Sequence, residues 1–85
     1  MAEIIIYSKD YCPYCTRAKE LLLQKKQKFT EFRIDVHPEL RSEMLSKSNG
    51  RTTVPQIFIN GQHIGGCDDL YALEDQGTLN ELLKG

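Results

Sequence analysis

The sequence predicts an α/β protein with a mixed sheet of about four strands and helices on both faces, and three observations predict it. Strand-like and helix-like hydrophobic periods alternate along the chain in the order βαβαββα, with a short helix at the end. The first two strands are joined through a helix, which calls for a parallel pair and a right-handed crossover. Asn60-Gly61 lies between two short strand-like runs and is the strongest local hairpin signal, so the last two strands return antiparallel.

The elements follow in order. Ile4 to Tyr7 is a continuous apolar run, as in a strand covered on both faces. Lys9, Asp10 and Tyr11 turn the chain. From Pro13 onward Ala18, Leu21 and Leu22 recur at three- and four-residue steps, a helix that gives out near Lys25-Lys26-Gln27. Proline suits the first helical position, where its missing N–H would have had no partner. Phe32 and Ile34 alternate with polar residues in a second strand. Pro38 opens a second helix carrying Leu40, Met44 and Leu45, stopped by Asn49-Gly50. Gln56 to Ile59 is the third strand and Gln62 to Ile64 the fourth. Gly65-Gly66 breaks the pattern, and a third helix starts at Asp68-Asp69-Leu70 with acids at its positive end. Gly77 ends it, and Thr78 with Glu81 reads as a capping box for a last helix through Leu83.

With 85 residues the chain is expected to be a single domain over residues 1–85, in the size range where burial is thin. Its 40% apolar and 27% charged residues are ordinary for a globular protein and point away from disorder or a fibrous repeat. The net charge of -1, with both signs interspersed, provides no electrostatic case for nucleic acid or an anionic membrane. The apolar run at Ile4 is too short for a signal-peptide core or a bilayer span, so a cytoplasmic protein is expected. Three cysteines do not make the even-numbered framework of a secreted disulfide protein. In a reducing cytosol a close pair is catalytic or metal-binding.

Cys12 and Cys15 form that pair. If Pro13 is the first helical residue, Cys12 is the N-cap, where its side chain accepts from the free amides of Tyr14 and Cys15 at the positive end of the helix dipole. A thiolate is the form that benefits: helix N-terminal Cys-x-x-Cys thiols fall from about 8.5 to between about 3.5 and 7. Lys9 is placed to add to this. Cys15 lies further inside the helix, so the pair divides into an exposed nucleophile and a covered resolving thiol. Zinc would need two further ligands, and Cys67, His63 and His37 are not spaced as a second pair, so no metal is expected. A static staple is disfavoured because so short a loop removes little entropy from the unfolded chain.

"CPYC" after the first strand, "TVPQIFI" in the second half and "GGCDDL" at the third helix occur in the order and spacing of the glutaredoxins. The chain resembles that family over its whole length, most of all its small bacterial dithiol members. The resemblance implies a thioredoxin fold and a monomeric, glutathione-dependent thiol-disulfide oxidoreductase, with glutathione as co-substrate and no bound cofactor. It implies Cys12 as nucleophile and Cys15 as resolving thiol, joined in a disulfide when oxidised. It also implies that Thr53-Val54-Pro55 is a loop with a cis proline facing the cysteines, where the Val54 backbone pairs with glutathione as an added strand. Read without the family, Val54-Pro55 is a rigid entry to an edge strand.

Gly66, Cys67, Asp68 and Asp69 have a physical reading that agrees. The glycines let a ligand backbone approach, and the amides of Cys67 and Asp68 suit a γ-glutamyl carboxylate at a helix N-terminus. Asp68 would pair with the ligand's ammonium group, while Asp69 is either a contact or only the helix cap. Lys9, then Arg41 or Arg51, would take the glycyl carboxylate, and Tyr14 would be a wall of the groove. Cys67 is expected to pack and to lend its amide; His37 and His63 look solvated and receive no chemistry.

The expected reaction is reduction of glutathione mixed disulfides and of protein disulfides, among which the resemblance suggests that of ribonucleotide reductase. Two rivals stand beside it. A [2Fe-2S] carrier would bridge two copies through Cys12, against which the rigid Pro13 turn counts, and a scaffold without turnover is opposed by the intact cysteine pair.

Overall fold

A computed structural model describes residues 2–84. The elements are β1 (Ile4–Ser8), α1 (Pro13–Gln24), β2 (Thr30–Arg33), α2 (Glu39–Lys47), β3 (Gln56–Ile59), β4 (Gln62–Gly65), α3 (Cys67–Asp75) and α4 (Thr78–Leu83). They form one mixed sheet of 4 strands in the order β2-β1-β3-β4. The β1–β2 pair is parallel, and β1–β3 and β3–β4 are antiparallel. The thioredoxin fold expected from the resemblance is the fold observed.

Period-two alternation in β1 sends Ile4 and Ile6 to one face of the sheet and Ile5 and Tyr7 to the other. The first face carries most of the core: Ile4, Ile6, Ile57 and Ile59 meet Ala18, Leu21 and Leu22 of α1, Leu70 of α3, and Leu79 and Leu83 of α4. The second face is thinner. There Tyr7 and Phe58 pack with Met44, the one buried residue of α2, flanked by Phe32, Ile34 and Val54.

Strand direction decides where the chemistry can be. The C-terminal end of β1, the N-terminal end of β3 and the C-terminal end of β4 lie at the same edge, since Tyr7 pairs with Gln56 and Ile57 with Gly65. The turn after β1, the loop before β3 and the start of α3 therefore converge there, although up to about sixty residues separate them in the chain.

Two local expectations are corrected. The cap of α4 is Gly77, at φ 78°, with no side-chain cap bond, and Thr78 is already helical. Gly77 closes α3 by donating its N–H to Glu74 and enters α4 at once, leaving Thr78 no extended residue position from which to cap. His63 is half-buried instead of solvated, its Nε2 2.6 Å from Gln56 Oε1 and its ring against Phe58. Asn49 and Gly50 do end α2 as expected, both left-handed at φ 59° and 87°. No helix among the described residues is long and apolar enough to cross a membrane.

Candidate active site

Cys12 is the N-cap of α1, in extended conformation, with Pro13 as the first helical residue. Its Sγ accepts the Cys15 N–H at 3.2 Å; of the two amides expected there, only this one is engaged. No acidic residue stands in the first turn, so the positive helix end is left to the sulfur. Cys12 and Cys15 are joined in a disulfide, Cα atoms 5.2 Å apart, inside the ordinary range for such bonds. The two sulfurs are unequal, but Cys12 is less open than expected. It is 8% exposed and Cys15 1%, because Cys12 is folded in between the bonded Cys15 and the loop before β3.

The turn that delivers Cys12 is held from β2's end. Asp35 Oδ2 accepts the Asp10 N–H at 3.1 Å, and Asp10 Oδ1 accepts the Tyr11 N–H at 3.0 Å. Arg33 grips Asp35 through two bonds of 2.8 and 2.6 Å, a planar fork that keeps the Asp35 carboxyl well below the usual carboxylate range. Tyr11 sits at φ 52° in this turn, a conformation tyrosine rarely adopts.

Facing the cysteines, the Val54–Pro55 peptide is cis, as the resemblance implied, and the Val54 carbonyl oxygen lies 3.9 Å from Cys12 Sγ. Beyond it is the start of α3. Gly65 has φ 119°, and a Cβ there would run into the Asp69 carboxylate, so glycine is required at this close approach. Asp69, in the first turn of α3, reaches back with Oδ2 to accept the N–H of the N-cap residue Gly66 at 2.9 Å, so its side chain serves the helix cap. The amides of Cys67 and Asp68, in the first turn, have no intrahelical acceptor. Cys67 itself belongs to the core, and burial pushes its thiol up, with Asp68 adding to the rise and Arg17 opposing it.

These segments enclose two adjoining hollows that share Tyr14, Thr53 and Val54 as walls. The first, about 580 Å³, has Cys12 on its floor with Lys9 and Arg41. The second, about 330 Å³, runs along Pro55, Gly66, Cys67, Asp68 and Asp69. Every residue expected in the groove lines one or both, with Cys15 beneath. Arg51 is corrected in place: it lines the second hollow, its Nη2 3.7 Å from Asp69 Oδ2, and so stands away from the Lys9 end. Ile34, Asp35 and Thr52 also line the first hollow and were not anticipated. Asp35 had one signal in the sequence, an acid two residues after Arg33 at a strand end.

A groove with cations at one end, a disulfide in the middle and free amides with carboxylates at the other can carry out thiol-disulfide exchange. Once the disulfide is reduced, the Cys15 amide and the positive end of α1 favour a thiolate at Cys12, with the Cys15 sulfur within reach of it.

The glutaredoxin family model matches residues 4–64. The chain belongs to the glutaredoxin family. It is 60% identical over 84 residues to Glutaredoxin 3 of Escherichia coli, covering 99% of this chain and 100% of that one. Among solved structures, a glutaredoxin from Brucella melitensis superposes with a TM-score of 0.85 at 57% identity, over 99% of this chain and 90% of the other. A buckwheat glutaredoxin–glutathione complex superposes with a TM-score of 0.89 at 32% identity, over 98% of this chain and 77% of the other. The Cys12–Cys15 pair fits the CPYC pattern of the glutaredoxins, and family and fold together make the chain a thiol-disulfide oxidoreductase.

Proposed function

We propose that this glutaredoxin reduces glutathione mixed disulfides and protein disulfides with glutathione as the electron donor. The observation that carries the reading is the placement of Cys12 between a cationic end (Lys9, Arg41) and an end of free amides and carboxylates (Cys67, Asp68, Asp69). An extended tripeptide with a carboxylate at each end and one ammonium group matches this order of charges. Its backbone would pair with Val54 between Thr53 and Pro55, its γ-glutamyl carboxylate would meet the Cys67 and Asp68 amides, and Asp68 would take the ammonium. Tyr14 forms the wall between the hollows. The buckwheat complex supports glutathione as the ligand of this fold.

In the first half-reaction the Cys12 thiolate attacks the glutathionyl sulfur of a mixed disulfide. The old S–S bond breaks, the substrate leaves as a thiolate that takes a proton, and Cys12 holds glutathione in a new disulfide. A second glutathione thiolate then attacks the glutathionyl sulfur, restoring Cys12 and releasing oxidised glutathione. For a protein disulfide, Cys12 bonds the substrate, and the Cys15 thiolate displaces it to give the Cys12–Cys15 disulfide seen here. Ribonucleotide reductase is one protein substrate of this kind. The chain acts as a monomer and single domain in the cytoplasm, with no bound cofactor.

Incubation of the reduced Cys15→Ser protein with oxidised glutathione, followed by intact mass measurement and peptide mapping, tests donor and nucleophile together. One glutathione adduct on Cys12 is the expected result. The same variant should turn over mixed disulfides but fail on protein disulfides, while Cys12→Ser fails on both. An adduct on Cys67, or substantial turnover by Cys12→Ser, would overturn the assignment.

A further inference from the structure

The scheme above leaves one fully buried polar side chain beside the groove unused. Gln56, the first residue of β3, is 0% exposed. Its Nε2 donates to the Thr53 carbonyl at 3.0 Å and lies 3.2 Å from Thr53 Oγ1. Its Oε1 is 2.6 Å from His63 Nε2 on β4. The carboxamide can point only one way. The Thr53 carbonyl is a pure acceptor, so it must face the NH₂ group; the amide oxygen then faces His63, whose Nε2 must carry the proton. Phe58 packs against the His63 ring and holds it in place.

We propose that Gln56 is a positioning residue for disulfide exchange: oriented by His63, its carboxamide anchors the Thr53-Val54-Pro55 loop so that Val54 presents its backbone to the glutathionyl group. This rests on the reading that glutathione pairs with Val54. Gln56 touches neither Cys12 nor the groove; it acts through Thr53. The effect belongs to binding of the glutathionyl moiety, which is alike in ground and transition states, and so falls on KM.

The test uses Gln56→Met, which fills the same space without donors. With the glutathione–cysteine mixed disulfide as substrate, KM should rise about tenfold, the scale of two lost hydrogen bonds, with kcat within about twofold. The iodoacetamide rate at Cys12 should not change, because the Cys15 amide is untouched. Amide hydrogen exchange at Val54 is the second readout. In the Cys15→Ser protein, glutathionylation of Cys12 should protect the Val54 N–H, and adding Gln56→Met should remove most of that protection. Unchanged KM and undiminished protection, whatever the loss of thermal stability, would reduce Gln56 to a structural residue and overturn the proposal. If the Cys15→Ser adduct itself leaves Val54 unprotected, the pairing of glutathione with Val54 fails, and the proposal with it. Should Gln56→Met not fold, His63→Phe keeps a ring on Phe58 but leaves the buried Gln56 Oε1 without its partner, which loosens the hold of the carboxamide on Thr53. It should raise KM about threefold, and an unchanged KM would count against Gln56 equally.

Discussion

Cys12 and Cys67 stand at the starts of two helices at the same edge of the sheet, Cys12 as the N-cap of α1 and Cys67 as the first residue of α3. Their exposures are similar, 8% and 4%, so access does not separate them. What separates them is one position and two charges. At the N-cap the extended backbone turns the side chain back toward the free amides, and Cys12 Sγ takes the Cys15 N–H. One residue further in, the Cys67 side chain leaves the amides and joins Leu70 and Ala18 in the core. The first turn of α1 holds no acid, whereas that of α3 holds Asp68 and Asp69. A helix N-terminus prepares a thiolate only when the sulfur occupies the cap and no carboxylate has taken the dipole first.

The largest consequence is a difference in rate. In the reduced protein at pH 7, iodoacetamide should modify Cys12 at least about a hundredfold faster than Cys67, read by mass mapping over time. Comparable rates would erase the distinction. A smaller effect comes from giving α1 what α3 already has. Thr16 is exposed near the start of α1, and Thr16→Asp should move the pH midpoint of Cys12 alkylation up by about half a unit, the size of one charge at a helix end. No movement would mean that the Cys15 amide alone holds the sulfur.

The smallest effect is on stability at high pH. Burial raises the Cys67 thiol in the folded chain above its unfolded value. Its contribution is therefore fully present below the ordinary thiol range and is lost as pH rises through the raised value. With the Cys12–Cys15 disulfide kept intact, Tm should fall more steeply for the wild type than for Cys67→Ala between pH 8 and 10. Above that, Tyr7, pushed up to about 12 by burial and its bond to Glu43, adds its own loss in both proteins. Parallel curves below pH 10 would show that Cys67 does not titrate differently on folding.

Much of the site was readable in advance wherever it depends on neighbours in the chain. The cap role of Cys12 follows from Pro13, and the hairpin at Asn60-Gly61 joins β3 to β4 as expected. The third helix could be placed to within one residue, since it begins at Cys67 where Asp68 was expected. Thr78 failed as a cap because a competing local signal, the left-handed Gly77, already occupied that position. Asp35 and Gln56 escaped notice for another reason: each depends on a partner that only the folded chain brings near, a backbone amide for Asp35 and a side chain for Gln56. Asp35 reaches Asp10 across 25 residues and Gln56 meets His63 across the hairpin.

The sequence by itself determined the elements, the unequal cysteines and the glycine approach at α3, because these rest on interactions within a few residues. The tertiary structure alone decided that Cys12, Val54 and the α3 amides share one groove, that Arg51 faces Asp69 and that Gln56 is buried behind the Thr53 loop. Those facts depend on β3 lying antiparallel beside β1, a pairing across about fifty residues that no local period encodes.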